Sequence, residues 1–259
     1  MPEGTALDNA YIEKKMKQFK LVDMRSGYMD LINEAEQESL GYKDFLIRLL
    51  QMEENGKDSR RTEKLLNRAG FETSAALSDI DYGFNPSLEK DRIEELGRLG
   101  FLDRHENIII IGPPGVGKSM IATGIGRNAC TAGRKVMFVN AKELVDRLYD
   151  SMLEGNLHET LEGINKVELL IIDELSYIKM DKERESLFFQ IIRQRYEKSS
   201  LIITTNLPMG RWDEVFTGQL AATAILDRLL YHCHVLSITG ESYRVKGSKL
   251  SVKNQKGTV

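Results

Sequence analysis

Cysteine is scarce in this sequence, and long hydrophobic runs are missing. The two cysteines, Cys130 and Cys233, lie far apart in the 259-residue chain and form no Cys-x-x-Cys pair, which argues against a disulfide framework or a zinc ribbon. Apolar runs such as 108–111 are far shorter than the roughly 20 residues of a membrane span. The first twenty residues mix acids with lysines and lack the apolar stretch of a secretion signal. We therefore expect a cytoplasmic protein that is neither secreted nor membrane-spanning.

A strong net charge is also absent. The 36 lysines and arginines nearly balance the 39 aspartates and glutamates, which leaves a net charge of −3. This balance does not decide whether nucleic acid is a partner, because a DNA-binding surface depends on local clustering of charge. Hydrophobic residues make up 41% and charged residues 29%, a composition that excludes wholesale disorder. The length suits one α/β domain and a smaller second domain.

The first third of the chain has a helical pattern. Four helices are predicted, at 9–22, 28–39, 42–54 and 57–69, with breaks at Gly27, Gly41, Gly56 and Gly70. We assign residues 1–75 to a small all-helical domain, 76–105 to a connector with a charged helix around 88–99, and 106–259 to a second domain.

Five short apolar runs then alternate with segments of helical length, and this alternation predicts a parallel sheet with crossover helices. The predicted strands are Asn107–Ile111, Lys135–Val139, Glu168–Asp173, Ser200–Thr205 and His234–Ile238. Asn140 and Glu143 have the spacing of a capping box at the start of the helix after the second strand. The second strand is therefore predicted to end near Val139.

A phosphate-binding pattern follows the first predicted strand. GPPGVGKS matches GxxxxGK[ST] between a strand and a helix, which disfavours the alternative of a simple glycine-rich turn. The glycines let successive N–H groups face phosphate oxygens at a helix N-terminus. Lys118 would supply charge to the β and γ phosphates, and the Ser119 hydroxyl would join the coordination shell of Mg²⁺. The predicted nucleotide-binding residues are Gly112, Pro113, Pro114, Gly115, Val116, Gly117, Lys118, Ser119 and Met120. The loop alone does not distinguish ATP from GTP.

Two further predicted strands end in polar side chains. LLIIDE delivers Asp173 and Glu174 at the carboxyl end of a strand, where ligands collect in open α/β sheets. We predict that Asp173 is a Mg²⁺ ligand and that Glu174 orients or deprotonates the attacking water. LIITTN ends in Asn206, which either holds that water between the phosphate loop and the acidic pair or caps the turn before Pro208.

Two arginines flank the last predicted strand, Arg228 in AILDRLL and Arg244 in GESYRVK, and either could be a plain surface arginine.

The chain resembles the IstB-like transposition helper ATPases of bacterial insertion sequences. The resemblance is carried by the order of the motifs GPPGVGKS, LLIIDE, TTN, AILDRLL and GESYRVK, with FLIRLLQME, Arg60 and Arg61 upstream. These AAA+ proteins are a sister group of the DnaC and DnaI helicase loaders. The resemblance covers roughly residues 8–250, and the upstream helical part favours the IstB group over the loaders.

The resemblance implies an AAA+ P-loop domain with a five-stranded parallel sheet, and ATP with Mg²⁺ as cofactors. It implies that Asn206 is the sensor, Arg228 the arginine finger and Arg244 the second sensor. Residues 141–167, predicted as two short helices, resemble the helical insertion that faces nucleic acid in the initiator and loader clade.

The turn after the acidic pair departs from the family pattern. Relatives usually carry Gly and Pro there, whereas this chain has Ser176 and Lys179. A second departure is Thr205, which replaces a commoner Ser. The resemblance therefore does not imply the geometry or the contacts of this turn, whereas the replacement at Thr205 is expected to have little effect.

No room for a separate helical lid remains after the last strand. Only 21 residues follow Ile238, whereas a lid bundle needs several helices of about 10 residues each. We therefore expect an open site that a neighbouring subunit completes with an arginine, a contribution of about 10³ to 10⁵ in rate in related enzymes. Assembly of a homo-oligomer and ATP hydrolysis should then be coupled.

A basic helix face is predicted near the end of the first domain. At about 100° per residue, five cations of the segment 57–69 share one arc of about 100°. They are Lys57, Arg60, Arg61, Lys64 and Arg68. Asp58 and Glu63 fall outside the arc, so we predict phosphate contact with little sequence specificity. The alternative is a solvated helix face. His232, Cys233 and His234 are not predicted to bind metal, because strand alternation points them to opposite faces.

The function predicted from these features is that of an ATP-dependent regulator of transposition. Its ATP-bound subunits would assemble on double-stranded DNA through the helical domain and the insertion, and would engage a transposase. The alternative is a replicative helicase loader, which a test of duplex DNA binding without helicase would discriminate. A small-molecule P-loop kinase is disfavoured, since it would not need Glu174, Asn206 and Arg228 in that order.

Overall fold

The computed structural model of the protein describes residues 4–243, with side chains from residue 8 onward. Contacts divide the chain into two units, Met1–Lys64 and Leu65–Val259. Among the described residues, none of the helices combines the length and the apolar character that a bilayer crossing requires.

The N-terminal part of the chain is helical, as predicted. Helix α1 spans Gly4–Gln18, α2 spans Val22–Glu38 and α3 spans Tyr42–Ala69. Gly41 and Gly70 flank α3 as predicted, but the breaks predicted at Gly27 and Gly56 are wrong. A Cβ on Gly27 would lie 2.6 Å from the Met52 sulfur, and one on Gly56 would overlap the Asp23 carboxylate. Both glycines therefore allow close contact between α2 and α3, and this packing outweighs their poor helix propensity.

One buried carboxylate ties α3 to the start of α2. Glu53 is only 3% exposed, and its Oε2 accepts hydrogen bonds from the backbone N–H groups of Asp23 at 2.9 Å and Met24 at 3.1 Å. It thereby replaces the capping side chain that α2 itself lacks. Burial opposes ionisation of Glu53, but these two backbone donors and the nearby Lys57 hold its pKa below the usual value.

Five parallel strands form the sheet of the second unit, in the order β2-β3-β4-β1-β5. The strands are β1 Asn107–Ile111, β2 Val136–Asn140, β3 Leu169–Asp173, β4 Ser200–Thr205 and β5 Cys233–Ser237. The predicted parallel sheet is confirmed, with every strand boundary within one residue of its predicted place. The described part of the chain reaches Tyr243 and contains no helical domain after β5.

Seven helices accompany the sheet among the described residues of this unit. They are α4 Lys90–Gly97, α5 Gly100–Asp103, α6 Lys118–Thr131, α7 Ala141–Leu153, α8 Leu157–Asn165, α9 Lys182–Arg195 and α10 Gln219–Leu230. The two helices predicted within 141–167 are thus α7 and α8. Asn140 caps α7 by accepting a hydrogen bond from the Lys142 N–H at 2.9 Å.

Strand alternation divides the core into two layers. Ile109 faces one layer with α7, α8, α9 and α10, whereas Ile108 and Ile110 face the other layer with α4, α5 and α6. Residues 80–102, predicted as part of a connector, contribute buried side chains to this second layer. With both faces covered, the polar residues that end the strands gather at the carboxyl edge of the sheet.

Candidate functional site

The phosphate-binding loop connects β1 to α6. Gly115 and Gly117 adopt left-handed backbone conformations with φ of +80° and +100°, which glycine enters without steric cost. A Cβ on Gly112 would lie 2.5 Å from the Ile238 carbonyl oxygen, so no larger residue fits there. Lys118 and Ser119 begin α6. The loop therefore brings backbone N–H groups to a helix N-terminus, which fits a triphosphate.

The Lys118 side chain is directed into this loop. It is 8% exposed, and its Nζ donates hydrogen bonds to the carbonyl oxygens of Gly112 at 2.8 Å and Pro113 at 2.9 Å. A third bond, of 2.7 Å, reaches the Asn206 Oδ1. The structure thus brings Asn206, the predicted sensor, into direct contact with the predicted phosphate-binding lysine.

The predicted metal ligands Ser119 and Asp173 lie at the start of α6 and at the end of β3. Ser119 Oγ donates a hydrogen bond of 3.0 Å to Asp173 Oδ1. A hydroxyl and a carboxylate are oxygen donors of the kind that Mg²⁺ prefers, and Mg²⁺ is usually held by one or two such protein groups beside phosphates and waters. These two residues therefore fit the predicted Mg²⁺ site.

Glu174 lies directly after β3 in a left-handed backbone conformation, with φ of 59° and ψ of 41°. Its Oε2 accepts a hydrogen bond of 3.1 Å from Asn140 Nδ2. Asn140 is paired with Asp173 in the register of β2 and β3, so the strand alignment brings the amide to the acidic pair. A non-glycine residue with positive φ is uncommon and is often found at functional sites.

The hydrogen bonds that Asn140, Thr204 and Ser176 make at this edge were not predicted from the sequence. Asn140 was predicted only as a helix cap, and Thr204 was not singled out. Thr204 Oγ1 donates a hydrogen bond to Asp173 Oδ1 and accepts one of 3.0 Å from the Glu174 N–H. Ser176 Oγ accepts a hydrogen bond of 3.0 Å from the Asn206 N–H, so the departure at this position links the turn to the predicted sensor.

An apolar cavity of about 270 Å³ adjoins Gly117. Its walls include Ile80, Leu88, Val116, Met120 and the aromatic pair Phe84 and Tyr243. The rings of that pair stack with centroids 3.8 Å apart. An apolar pocket beside a phosphate loop fits the flat base of a nucleotide.

The segment after β5 contacts the phosphate loop. Tyr243 donates its backbone N–H to the Gly115 carbonyl oxygen at 2.9 Å and its hydroxyl to the Asp81 carbonyl oxygen at 2.8 Å. This segment was predicted only through Arg244, which lies outside the described residues.

Arg228, the predicted arginine finger, lies near the end of α10. Its NH1 donates a hydrogen bond of 2.7 Å to the Ala224 carbonyl oxygen, and its guanidinium carbon lies 4.7 Å from the centroid of the Phe189 ring. Within the described residues it forms no ion pair. The structure therefore leaves its charge without a carboxylate partner, but does not bring it to the Lys118 loop of the same subunit.

Two carboxylates outside the segment 57–69 lie beside the predicted basic face of α3. Lys57 and Arg60 lie 3.5 Å and 3.7 Å from Glu53 Oε1, and Arg60 also pairs with Asp23. Glu53 is one helical turn before Lys57, outside the window. These two cations therefore stabilise the buried capping carboxylate as well as adding positive charge.

The remaining cations of the face, Arg61, Lys64 and Arg68, are exposed. In the part of the chain that the structure describes, Lys64 and Arg68 form no ion pair. The charges of Lys64 and Arg68 are consequently the ones on this face that are most available for the predicted phosphate contact.

The segment 141–167 carries more acid than base. It contains six carboxylates and three lysines or arginines. Phosphate contact through its side chains is therefore electrostatically disfavoured.

The His232 to His234 segment contains no metal-ligand cluster among the described residues. His234 Nε2 lies 2.8 Å from Glu106 Oε2. Arg104, and then His234, lower the pKa of Glu106 to about 2. Burial raises the pKa of Cys233 to about 12.

Comparisons with known proteins find ATP-binding relatives. A family model described as IstB-like ATP binding protein matches residues 14–251. An ATP-binding protein of insertion sequence IS21 from Pseudomonas aeruginosa is 37% identical over 235 residues, which cover 91% of this chain and 89% of that protein.

Solved structures share the fold over most of this chain. AMPPCP-bound DnaA from Aquifex aeolicus has a TM-score of 0.57 at 16% identity, covering 73% of this chain and 57% of DnaA. The crystal structure of DnaI has a TM-score of 0.53 at 22% identity, covering 69% of this chain and 92% of that structure. At these identities the likeness concerns the fold alone, and it confirms the predicted AAA+ architecture.

Proposed function

Because the chain belongs to the family of IstB-like ATP-binding proteins, we propose that it is an ATP-hydrolysing regulator of transposition. In this proposal its subunits assemble on duplex DNA when ATP is bound, and the assembly engages a transposase. One observation carries the hydrolytic part: Lys118, the Ser119 and Asp173 pair and Glu174 gather at one edge of the sheet. Such a set suits ATP hydrolysis.

Each part of the site has a distinct task in binding. The loop N–H groups and Lys118 hold the triphosphate, and the apolar cavity that adjoins Gly117 takes the base. A bound Mg²⁺ would neutralise charge on the β and γ phosphates, and Ser119 and Asp173 are the residues that would hold it.

Hydrolysis needs a group that aligns and deprotonates a water molecule. Glu174 has the required carboxylate, and Asn140 holds one of its oxygens. Asn206, which contacts Lys118, is placed to hold the water on the side of the phosphate loop. Asn140 also caps α7, so Glu174 is linked to the insertion by a single side chain.

Replacing Lys118 by alanine is expected to weaken ATP binding by about 10- to 100-fold, because a hydrogen bond from a charged group contributes about 1.5 to 3 kcal/mol. Calorimetric titration with ATP and Mg²⁺ measures the loss. Lys198→Ala, which removes an exposed lysine outside the site, is the matched control and should bind like the wild type. Equal ATP affinity in Lys118→Ala and the wild type would contradict the proposed phosphate site.

We place the main DNA contact on α3. Its five cations share one face, whereas the insertion 141–167 has a net acidic side-chain charge. Phosphate contacts from lysine and arginine release counterions, so affinity should fall steeply as salt is raised. The insertion would then contribute little through its side-chain charges.

The double variant Lys64→Ala/Arg68→Ala is expected to bind duplex DNA more weakly, with a slope of log affinity against log salt that is shallower by about 2. Fluorescence anisotropy of labelled duplex, with the full chain and an ATP analogue, measures both quantities. The control Arg193→Ala/Lys198→Ala removes two exposed cations from another surface and should keep the wild-type slope. If the wild-type chain alone does not bind duplex DNA, the proposal is wrong and a helicase-loading role is favoured.

A further inference from the structure

Thr204 is a fully buried hydroxyl residue near the end of β4, with an exposed fraction of 0%. A buried hydroxyl must satisfy its hydrogen-bonding capacity within the protein. The Thr204 hydroxyl does so by donating to Asp173 and accepting from the Glu174 N–H. One hydroxyl therefore contacts both members of the acidic pair.

The acceptor half of this contact concerns the backbone of Glu174. Residues with a side chain rarely adopt its left-handed conformation, and they persist there only where neighbouring contacts hold them. The bond from the Glu174 N–H to Thr204 Oγ1 is such a contact. It sets the direction in which the Glu174 side chain leaves the strand.

The donor half concerns the carboxylate of Asp173. Its Oδ1 accepts from both Ser119 and Thr204. When the Ser119 hydroxyl serves as a metal ligand, Thr204 remains as the neighbour that orients this carboxylate. Groups that hydrogen-bond metal ligands commonly change metal affinity or activity by about 10- to 100-fold when removed.

We propose that Thr204 is a positioning residue that fixes the metal-binding carboxylate Asp173 and the water-activating carboxylate Glu174 relative to each other. The inference rests on the proposed ATP hydrolysis. Thr204 does not touch the nucleotide in this proposal, so its hydroxyl governs Mg²⁺ dependence and turnover rather than the affinity for ATP itself.

The test compares Thr204→Val, which keeps the shape and removes the hydroxyl, with Thr204→Ser, which keeps the hydroxyl. Ser151→Ala is the control, because it removes another buried hydroxyl, one that donates to the Leu148 carbonyl oxygen within α7. Three quantities are measured on the full chain: ATP affinity in EDTA, the Mg²⁺ concentration that gives half of the thermal stabilisation by ATP, and kcat with KM.

Thr204→Val is expected to bind ATP in EDTA like the wild type, to need about 10- to 100-fold more Mg²⁺, and to lose about 10- to 100-fold in kcat. Thr204→Ser should recover most of each loss, and Ser151→Ala should change neither the Mg²⁺ requirement nor kcat. Thr204→Ala replaces the valine variant if that variant does not fold.

Wild-type Mg²⁺ dependence and kcat in the folded valine variant would overturn the inference. So would a loss that serine does not recover, or one confined to the melting temperature of the nucleotide-free protein. If the wild type hydrolyses no ATP, the proposed function fails, and the Mg²⁺ titration of thermal stability still decides the role of Thr204.

Discussion

Replacing Glu174 by glutamine is expected to slow ATP hydrolysis by about 10² to 10⁴-fold, the usual contribution of a general base. The amide keeps the size of the side chain and its acceptor oxygen, so the hydrogen bond from Asn140 can persist. What is lost is the negative charge that accepts a proton from water. ATP binding should remain close to that of the wild type, because Lys118 and the loop are untouched.

The same substitution should prolong DNA complexes. If ATP holds the assembly together and hydrolysis dismantles it, a subunit that binds ATP but does not cleave it stays assembled. Steady-state phosphate release measures the first effect, and dissociation of labelled duplex after a competitor chase measures the second. Glu95→Gln, at an exposed position of α4, is the charge-matched control. Unchanged turnover together with unchanged DNA lifetimes in Glu174→Gln would mean that the proposed switch is wrong.

The sheet was predictable from the sequence because its strands are short apolar segments separated by helices. β1, for example, contains the apolar run 108–111 and is followed at once by the phosphate loop. The helices of the first unit were less predictable. Glycine usually marks a helix end, but Gly27 and Gly56 lie inside helices, where Met52 and Asp23 pack against them. Contacts between helices are not readable from either segment alone.

The residues of the site were likewise predictable only in part. Lys118, Ser119, Asp173 and Glu174 belong to contiguous motifs whose chemistry requires those residue types, and the structure brings them together. Asn140 and Thr204 reach the acidic pair only through the alignment of β2 and β4 with β3. That alignment joins strands distant in the sequence, so a linear motif does not reveal it.

The basic face of α3 shows how the choice of window limits a charge argument. The five cations that were predicted to share one helical face do lie on a single helix, α3. Extending the window by one turn would have found Glu53, whereas Asp23 comes from α2 and required the structure. Lys57 and Arg60 therefore have a structural task, and the DNA prediction depends mainly on Lys64 and Arg68.

Replacing Arg228 by alanine is expected to reduce ATP hydrolysis by about 10³ to 10⁵-fold, the range that an arginine finger contributes in related enzymes. ATP binding should be spared, because Arg228 contacts Ala224 and Phe189 rather than the phosphate loop of its own subunit. Arg193→Ala, an exposed arginine of the neighbouring helix α9, is the control and should retain activity.

Mixing two inactive variants tests whether Arg228 acts on a neighbouring subunit. Arg228→Ala keeps Glu174, and Glu174→Gln keeps Arg228, so a mixed assembly contains interfaces with both groups. In an equimolar mixture about a quarter of the sites should combine them if each site uses one head-to-tail neighbour. Hydrolysis should therefore reappear on mixing and rise with protein concentration. No recovery in mixtures shown to co-assemble would place Arg228 outside the neighbour's site, and full activity of Arg228→Ala alone would remove it from catalysis altogether.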